Sequence, residues 1–308
     1  MSMMKAVILA AGYGTRLQRD IEKDQSRHFE HLQGVAKPLL PVGDCALISH
    51  WLRALSHSAC VQQVFVVTNA HYHQAFQLWA QDFPSVQVLN DGTRNNEERL
   101  GAVACLQLAV NHFAVDDDVI VIGGDTLFKE DFSLRKFTEY FAELQRKTED
   151  ANLVLTYKCK DEETAKYGIL EVDSDYRVQR MKEKPLPSET HSRSAVRMTH
   201  NTTNQSRVST TTCKHTEDLF CRVFFQCPCF YLFSRTTLPL LDVFLKEKET
   251  RPLEERDAPG NFLSWLIARR PVYVHEISGR FDVGNLASYT ECDRYFKEQL
   301  KNPVLYLI

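Results

Sequence analysis

The chain is 308 residues long, 44% hydrophobic and 25% charged, with a formal net charge of −3. That length can bury a substantial core, in one large α/β domain or two smaller ones. The charge balance supplies no basic footprint for nucleic acid, and no apolar run reaches the roughly 18 residues of a membrane span. Neither nucleic acid nor membrane is expected as a partner, and any phosphate binding falls to local cations.

The first apolar run, Ala6 to Ala10, reads as a fully buried strand. It leads directly into Ala11-Gly12-Tyr13-Gly14-Thr15-Arg16-Leu17, so no signal-peptide cleavage site is expected. Gly12 and Gly14 allow a sharp turn in which main-chain N–H groups approach a bulky anion, and Arg16 adds a fixed positive charge. A dinucleotide fingerprint needs a third glycine where Leu17 stands, and a P-loop needs Gly-Lys-Ser/Thr. What stays open is a different nucleotide-phosphate turn or an ordinary βα turn. Next, the two prolines of Ala36-Lys37-Pro38-Leu39-Leu40-Pro41-Val42 hold Lys37 on a stiff loop, as a phosphate-neutralising point charge or as a surface lysine.

Strands are then predicted at Val64–Thr68, Val86–Leu89 and Val119–Gly123, with helices at 71–82, 100–113 and 132–146. Alternation of this kind predicts a mainly parallel sheet covered on both faces. Val119–Gly123 ends at Gly124-Asp125, the carboxyl end of a strand, where open α/β sheets bind ligands. A carboxylate there suits Mg²⁺ held with substrate phosphates, or the cap of the next segment.

The second half is more mixed. Strands are predicted at 153–157, 168–172, 178–181 and 230–233, with helices at 238–246, 262–269 and 286–300. Asp173-Ser174-Asp175 reads as a hairpin turn. Glu183-Lys184-Pro185 offers a hydroxyl acceptor and a phosphate cation, and Phe281-Asp282-Val283-Gly284 offers a second carboxylate, a metal ligand or a helix cap. Residues 188–214, rich in Ser, Thr, His, Asn and Arg, read as a mobile surface insert. Cys227-Pro228-Cys229 lacks the spacing and partner pair of a zinc site. The nine cysteines are odd in number and scattered, which predicts reduced thiols and a cytoplasmic location.

Taken together, Leu9-Ala10-Ala11-Gly12-x-Gly14-Thr15-Arg16-Leu17, Lys37-Pro38-Leu39-Leu40-Pro41-Val42, Gly124-Asp125, Tyr167-Gly168, Glu183-Lys184-Pro185 and Phe281-Asp282-Val283-Gly284 resemble the sugar-1-phosphate nucleotidyltransferases. That family includes glucose-1-phosphate thymidylyltransferases and uridylyltransferases and mannose-1-phosphate guanylyltransferases. The resemblance implies a single α/β domain, a three-layer sandwich around a mostly parallel, Rossmann-like mixed sheet. Residues 1–150 would form its nucleotide half and 151–308 its sugar-phosphate half.

It also implies a Mg²⁺-dependent transfer of a nucleotidyl group from a nucleoside triphosphate, UTP or dTTP favoured, to a sugar 1-phosphate. Arg16, Lys37 and Asp125 would be catalytic, and Asp125 and Asp282 would hold the Mg²⁺. Ala11, Gly12, Gly14 and Thr15 would meet the nucleotide, and Gly101 its base. Gly168, Glu183 and Lys184 would meet the sugar phosphate. The resemblance leaves open a homo-oligomer and a catalytically weak regulatory relative. Three departures from the family pattern stand out: a longer link from Gln18 to Ala36, Glu98-Arg99-Leu100-Gly101 where Pro-x-Gly is expected, and Pro228-Cys229 in place of Ala-Gly.

Overall fold

The computed structural model describes residues 3–129, 132–159, 168–183 and 224–301. The expected insert at 188–214 lies outside them, as do Tyr167 and Lys184.

Strand β1 (Met4–Leu9) lies in the middle of the parallel part of the sheet. It pairs in parallel with β4 (Val61–Thr68) and β6 (Val119–Gly123), and β4 pairs in parallel with β5 (Val86–Asn90). Beyond β6 the direction reverses. Antiparallel β12 (Phe230–Phe233) joins β6 to β8 (Asn152–Cys159), and β13 (Val272–Glu276) runs parallel to β8. The sheet continues through β11 (Phe224–Gln226) and β9 (Gly168–Val172) to β10 (Val178–Glu183), so one sheet crosses both halves of the chain. Asp173 Oδ1 accepts from the amides of Asp175 and Arg177, which makes the expected turn between β9 and β10.

Period-2 alternation in strands buried on both sides sorts their residues into two cores. Ala6, Ile8, Ile120 and Ile122 face one core with Trp51 of α2 (Leu47–Ser58), Phe137 and Phe141 of α5 (Leu134–Lys147), and Phe296 of α8 (Leu286–Lys301). Val7, Phe65, Val67, Val119 and Val121 face the other, with Leu106 of α4 (Ala102–His112), Phe244 of α6 (Pro239–Glu247) and Phe262 of α7 (Pro259–Leu266). Helices on both faces of a mixed sheet make the expected three-layer α/β fold. Each fully buried Val, Ile or Leu contributes about 1.5–3 kcal/mol. Phe230, fully buried, lies 5.2–5.3 Å by ring centroid from Trp51, Phe128, Phe132 and Phe137, which locks the reversed strand to the first core.

Most helix boundaries differ from the sequence reading by one to three residues, and two of the shifts have a local cause. α4 starts at Ala102, because Gly101 at φ +94° is not helical. α7 runs from Pro259 to Leu266, not from 262 to 269; proline suits the first helical turn. α2 is an addition, with Leu47, Trp51 and Leu55 at helical spacing on its buried face.

Candidate active site

The parallel strands deliver their carboxyl ends to one rim of the sheet. There Leu9 of β1 pairs with Gly123 of β6. After Leu9 the chain turns through Ala10–Gly14 into α1 (Thr15–Lys23), whose Leu17 and Ile21 are buried four residues apart. Side chains from the loops that follow β4 and β5 brace this turn. Asn69 is fully buried; its amide donates to the Ala11 carbonyl (2.9 Å) and its Oδ1 accepts from Tyr72 N–H. The Tyr72 hydroxyl donates to the Tyr13 carbonyl, and the Tyr13 hydroxyl meets Thr93 Oγ1 at 2.8 Å. Gly12 is exposed, with open space where a Cβ would stand. Gly14 opens α1 at φ +64°, with the Lys37 stem 3.4 Å from its Cβ position.

Lys37 stands at the start of a 3₁₀ turn, Lys37–Leu39, with Pro38 at its second position. A Cβ on Gly124 would lie 2.9 Å from the Leu9 carbonyl oxygen and 3.0 Å from Pro38 Cγ, so the lysine loop and the end of β6 close on each other only around glycine. The Gly124 amide donates to the Leu9 carbonyl. Asp125 is thereby delivered to Lys37, whose Nζ lies 3.4 Å from Asp125 Oδ2.

The second carboxylate arrives on a two-stranded ribbon. β14 (Arg280–Asp282) pairs antiparallel with β7 (Thr126–Phe128), placing Asp282 opposite Thr126, and Val283 N–H donates to the Asp125 carbonyl. Burial pushes the Asp282 carboxyl above its usual range and the Asp125 charge pushes the same way; Arg280, Lys37 and Arg16 pull it down. Arg280 Nη2 lies 3.2 Å from Asp282 Oδ2, while Arg16 Nη1 and Asp282 Oδ1 both lie 3.9 Å from the Cβ position of Gly284. Arg16, Lys37, Asp125 and Asp282, far apart in sequence, therefore form one cluster. Sequence reasoning missed Arg280, since its role appears only once β14 is paired. It also missed Asn69, whose signal was a polar residue at the carboxyl end of a buried strand.

Of the residues expected on the sugar side, Gly168 and Glu183 are joined by backbone pairing. Gly168 stands opposite Glu183 in the β9–β10 ladder, and the Gly168 carbonyl accepts from Cys227 N–H. Two residues on, the Cys229 carbonyl accepts from Gly123 N–H at 2.7 Å. Burial pushes the Cys229 thiol up to about 12; the Asp125 and Asp282 charges add to this and Arg280 opposes it. The thiol sulfur lies 3.3 Å from the Cβ position of Gly123, two residues before Asp125.

Gly101 is placed differently. A Cβ at its φ of +94° would lie 2.9 Å from Asp257 Cα. Asp257 closes over the start of α4: its Oδ1 accepts from Ala102 N–H, its carbonyl accepts from Val103 N–H, and Arg99 Nε lies 3.4 Å from Oδ2.

Two carboxylates backed by cations at the carboxyl end of parallel strands, facing an open glycine turn, define a phosphate-handling α/β protein. The nucleotidyl transferase family profile matches residues 5–299, so the chain belongs to that family of enzymes. Solved structures of the same fold include a Bacillus anthracis protein described as a glucose-1-phosphate thymidylyltransferase, in complex with sucrose. It is 18% identical, with a TM-score of 0.65 over 96% of each chain. A UDP-glucose pyrophosphorylase with UDP-glucose is 16% identical, with a TM-score of 0.64 over 97% of this chain and all of that one. A CMP:2-keto-3-deoxy-manno-octonic acid synthetase with CTP is 15% identical, with a TM-score of 0.61 over the same shares.

Proposed function

We propose that this protein transfers a nucleotidyl group from a nucleoside triphosphate, UTP or dTTP favoured, to a sugar 1-phosphate, releasing pyrophosphate, in the cytoplasm. The observation that carries this reading is the convergence of Arg16, Lys37, Asp125 and Asp282 beside a glycine turn with open space over Gly12. A phosphate oxygen of the sugar 1-phosphate attacks the α-phosphorus. A new P–O bond forms, the α–β bridging bond breaks, and its electron pair leaves on pyrophosphate. The attacking phosphate is largely ionised near neutral pH, with a second pKa of about 6, so no general base is needed. Positioning and neutralisation of crowded charge are needed. Gly14 and Thr15 hold the triphosphate with Arg16, and the backbone around Ala11 and Gly12 approaches the base and ribose. Arg16 meets the leaving pyrophosphate, and Lys37 meets the α-phosphate and the attacking oxygen. Gly168, Glu183 and Lys184 take the sugar and its phosphate. Gly101 shapes the wall beside the base, because Asp257 already accepts from the amides that open α4.

The donor set fits Mg²⁺. Asp125 and Asp282 are hard oxygen ligands close enough that the Asp125 charge raises the cost of ionising Asp282, which a divalent cation relieves. Those two side chains would hold it, and when bound it supplies charge neutralisation at the phosphates.

One observation favours a second reading, a catalytically weak relative that binds nucleotide or nucleotide-sugar: the Cys229 side chain packs against Gly123, at the end of the strand that leads to Asp125. Pyrophosphate release with Mg²⁺, screening UTP, dTTP, CTP, GTP and ATP against a panel of sugar 1-phosphates, separates the two. Release requiring both substrates is expected. Silence across the panel, with a nucleotide-sugar still raising the melting temperature, would sustain the second reading.

A further inference from the structure

Away from the carboxylate pair, among the described residues, one group of side chains gathers three kinds of metal donor. These are the Asp44 carboxylate, the Cys45 thiol and the His50 imidazole, with one donor atom of each within 4.8 Å of the others. Local structure puts them there. β2 (Pro41–Val42) and β3 (Cys45–Ala46) form a hairpin whose turn is Gly43-Asp44. Gly43 takes φ +65°, and a Cβ there would lie 3.1 Å from Phe296 Cβ, so the turn packs tightly on α8. The Gly43 amide donates to Asp293 Oδ1 of the same helix at 3.0 Å. The Leu47 amide donates to the Leu40 carbonyl, so α2 starts directly against the hairpin, and His50, early in α2, reaches back to Val42.

The three groups are in states that suit a metal. Burial favours the neutral form of His50. Its Nε2 lies 2.9 Å from the Val42 carbonyl, which only accepts, so Nε2 carries the proton and Nδ1 keeps a lone pair. A ring N–H fixed on a backbone carbonyl is the usual way a metal-binding histidine is oriented. Cys45 is a half-buried free thiol that donates to Asp44. Asp44 is exposed, and Arg53 Nη1 lies 2.9 and 3.1 Å from its two oxygens. Arg53 is exposed too, so that ion pair is weak in water and gives way to a divalent ion. Sulfur, nitrogen and oxygen donors together select a borderline ion such as Zn²⁺ over Mg²⁺, which takes oxygen. Bonds of about 2.0–2.3 Å would draw the donors together, a closure made by rotating the Asp44 and Cys45 side chains.

We propose that Asp44, Cys45 and His50 hold one Zn²⁺-type ion, with water in the fourth position, and that the ion staples the hairpin to α2. On binding, the Cys45 S–H bond breaks, its proton leaves to solvent, and the sulfur electron pair bonds to the metal. The site does not depend on the transfer reaction.

The test uses the full chain, reduced, stripped with a chelator and kept in excess Mg²⁺, with Co²⁺ as the probe and Zn²⁺ as its competitor. One equivalent of Co²⁺ is expected to give a thiolate-to-metal absorption band, and Zn²⁺ to abolish it. Asp125 and Asp282 offer only oxygen and cannot produce such a band. Cys45→Ser is expected to remove it. Asp44→Asn and His50→Gln are each expected to weaken Co²⁺ binding roughly tenfold or more. Arg53→Gln, which frees Asp44, is expected to leave binding as tight or tighter. Zn²⁺ is expected to raise the melting temperature of the unaltered chain and not that of Cys45→Ser. No band at equimolar Co²⁺ overturns the proposal, and a band that survives Cys45→Ser overturns it by assigning the metal to another cysteine. Binding indifferent to Asp44→Asn and His50→Gln in variants that melt normally overturns it as well. Asp44 is exposed, so its variant decides the matter if His50→Gln fails to fold. An equal rise in melting temperature with and without Cys45 overturns the stapling alone.

Discussion

The turn at Gly12–Gly14 and the turn at Gly101 look alike in sequence: each is a glycine step leading into a helix. In the fold they do opposite things. Over Gly12 there is nothing within 4 Å of a Cβ position, while at Gly101 the same position runs into Asp257. The amides that open α4 are already accepted by Asp257, and Gly14 opens α1 with no side-chain cap. One glycine borders open space; the other leaves room for the protein's own chain. A glycine before a helix therefore marks a close approach, and only the fold says what approaches.

The largest effect tests the open turn's partner. Asp125→Asn should lower turnover by about a thousandfold, a typical ceiling for losing one preorganised electrostatic group, without lowering the melting temperature. Near-normal turnover would remove Asp125 from the chemistry. Next, Gly101→Ala should destabilise by about 3 kcal/mol, combining a left-handed backbone with a steric conflict at Asp257, measured by chemical denaturation. A neutral result would mean that the two turns are equally open and the contrast fails. Asp257→Ala should cost about 1 kcal/mol, the usual worth of a helix cap, and Asp257→Asn less, since its oxygen still accepts from Ala102. Gly12→Ala should be the mildest in stability, within ~0.5 kcal/mol, because its Cβ would stand in open space. Its signature should be weaker nucleotide binding by calorimetry; unchanged affinity would mean that the open turn admits no ligand.

What could be read from the string follows from how local each signal is. β1, β6, the glycine turn and Gly124-Asp125 carry their meaning within a few residues: an apolar run, then small residues, then a carboxylate. The two-core packing of β1 also follows from its continuous apolar run. β7 and β14 are three residues each and exist because they pair with one another, so no periodicity announces them. Asp257 acts on residues far away in the chain, and Arg280, besides meeting Asp282 two positions on, donates to the distant Tyr157 hydroxyl, which its own neighbourhood does not announce. α2 is a different kind of miss, since its apolar spacing was present and local.

The ribbon of β7 and β14 also sets an order of events in folding. Asp125 belongs to the first half of the chain, whose parallel strands and helices can pack among themselves. Asp282 reaches it only after nearly all of the second half has been made and has closed back on the sheet. Closing so long a loop is slow compared with forming local structure. During synthesis the first half can dock while the carboxylate pair is still incomplete. In refolding, helix and sheet content should return before any capacity to bind a divalent ion at the carboxylate pair, and the lag between them times the arrival of three residues, Arg280 to Asp282.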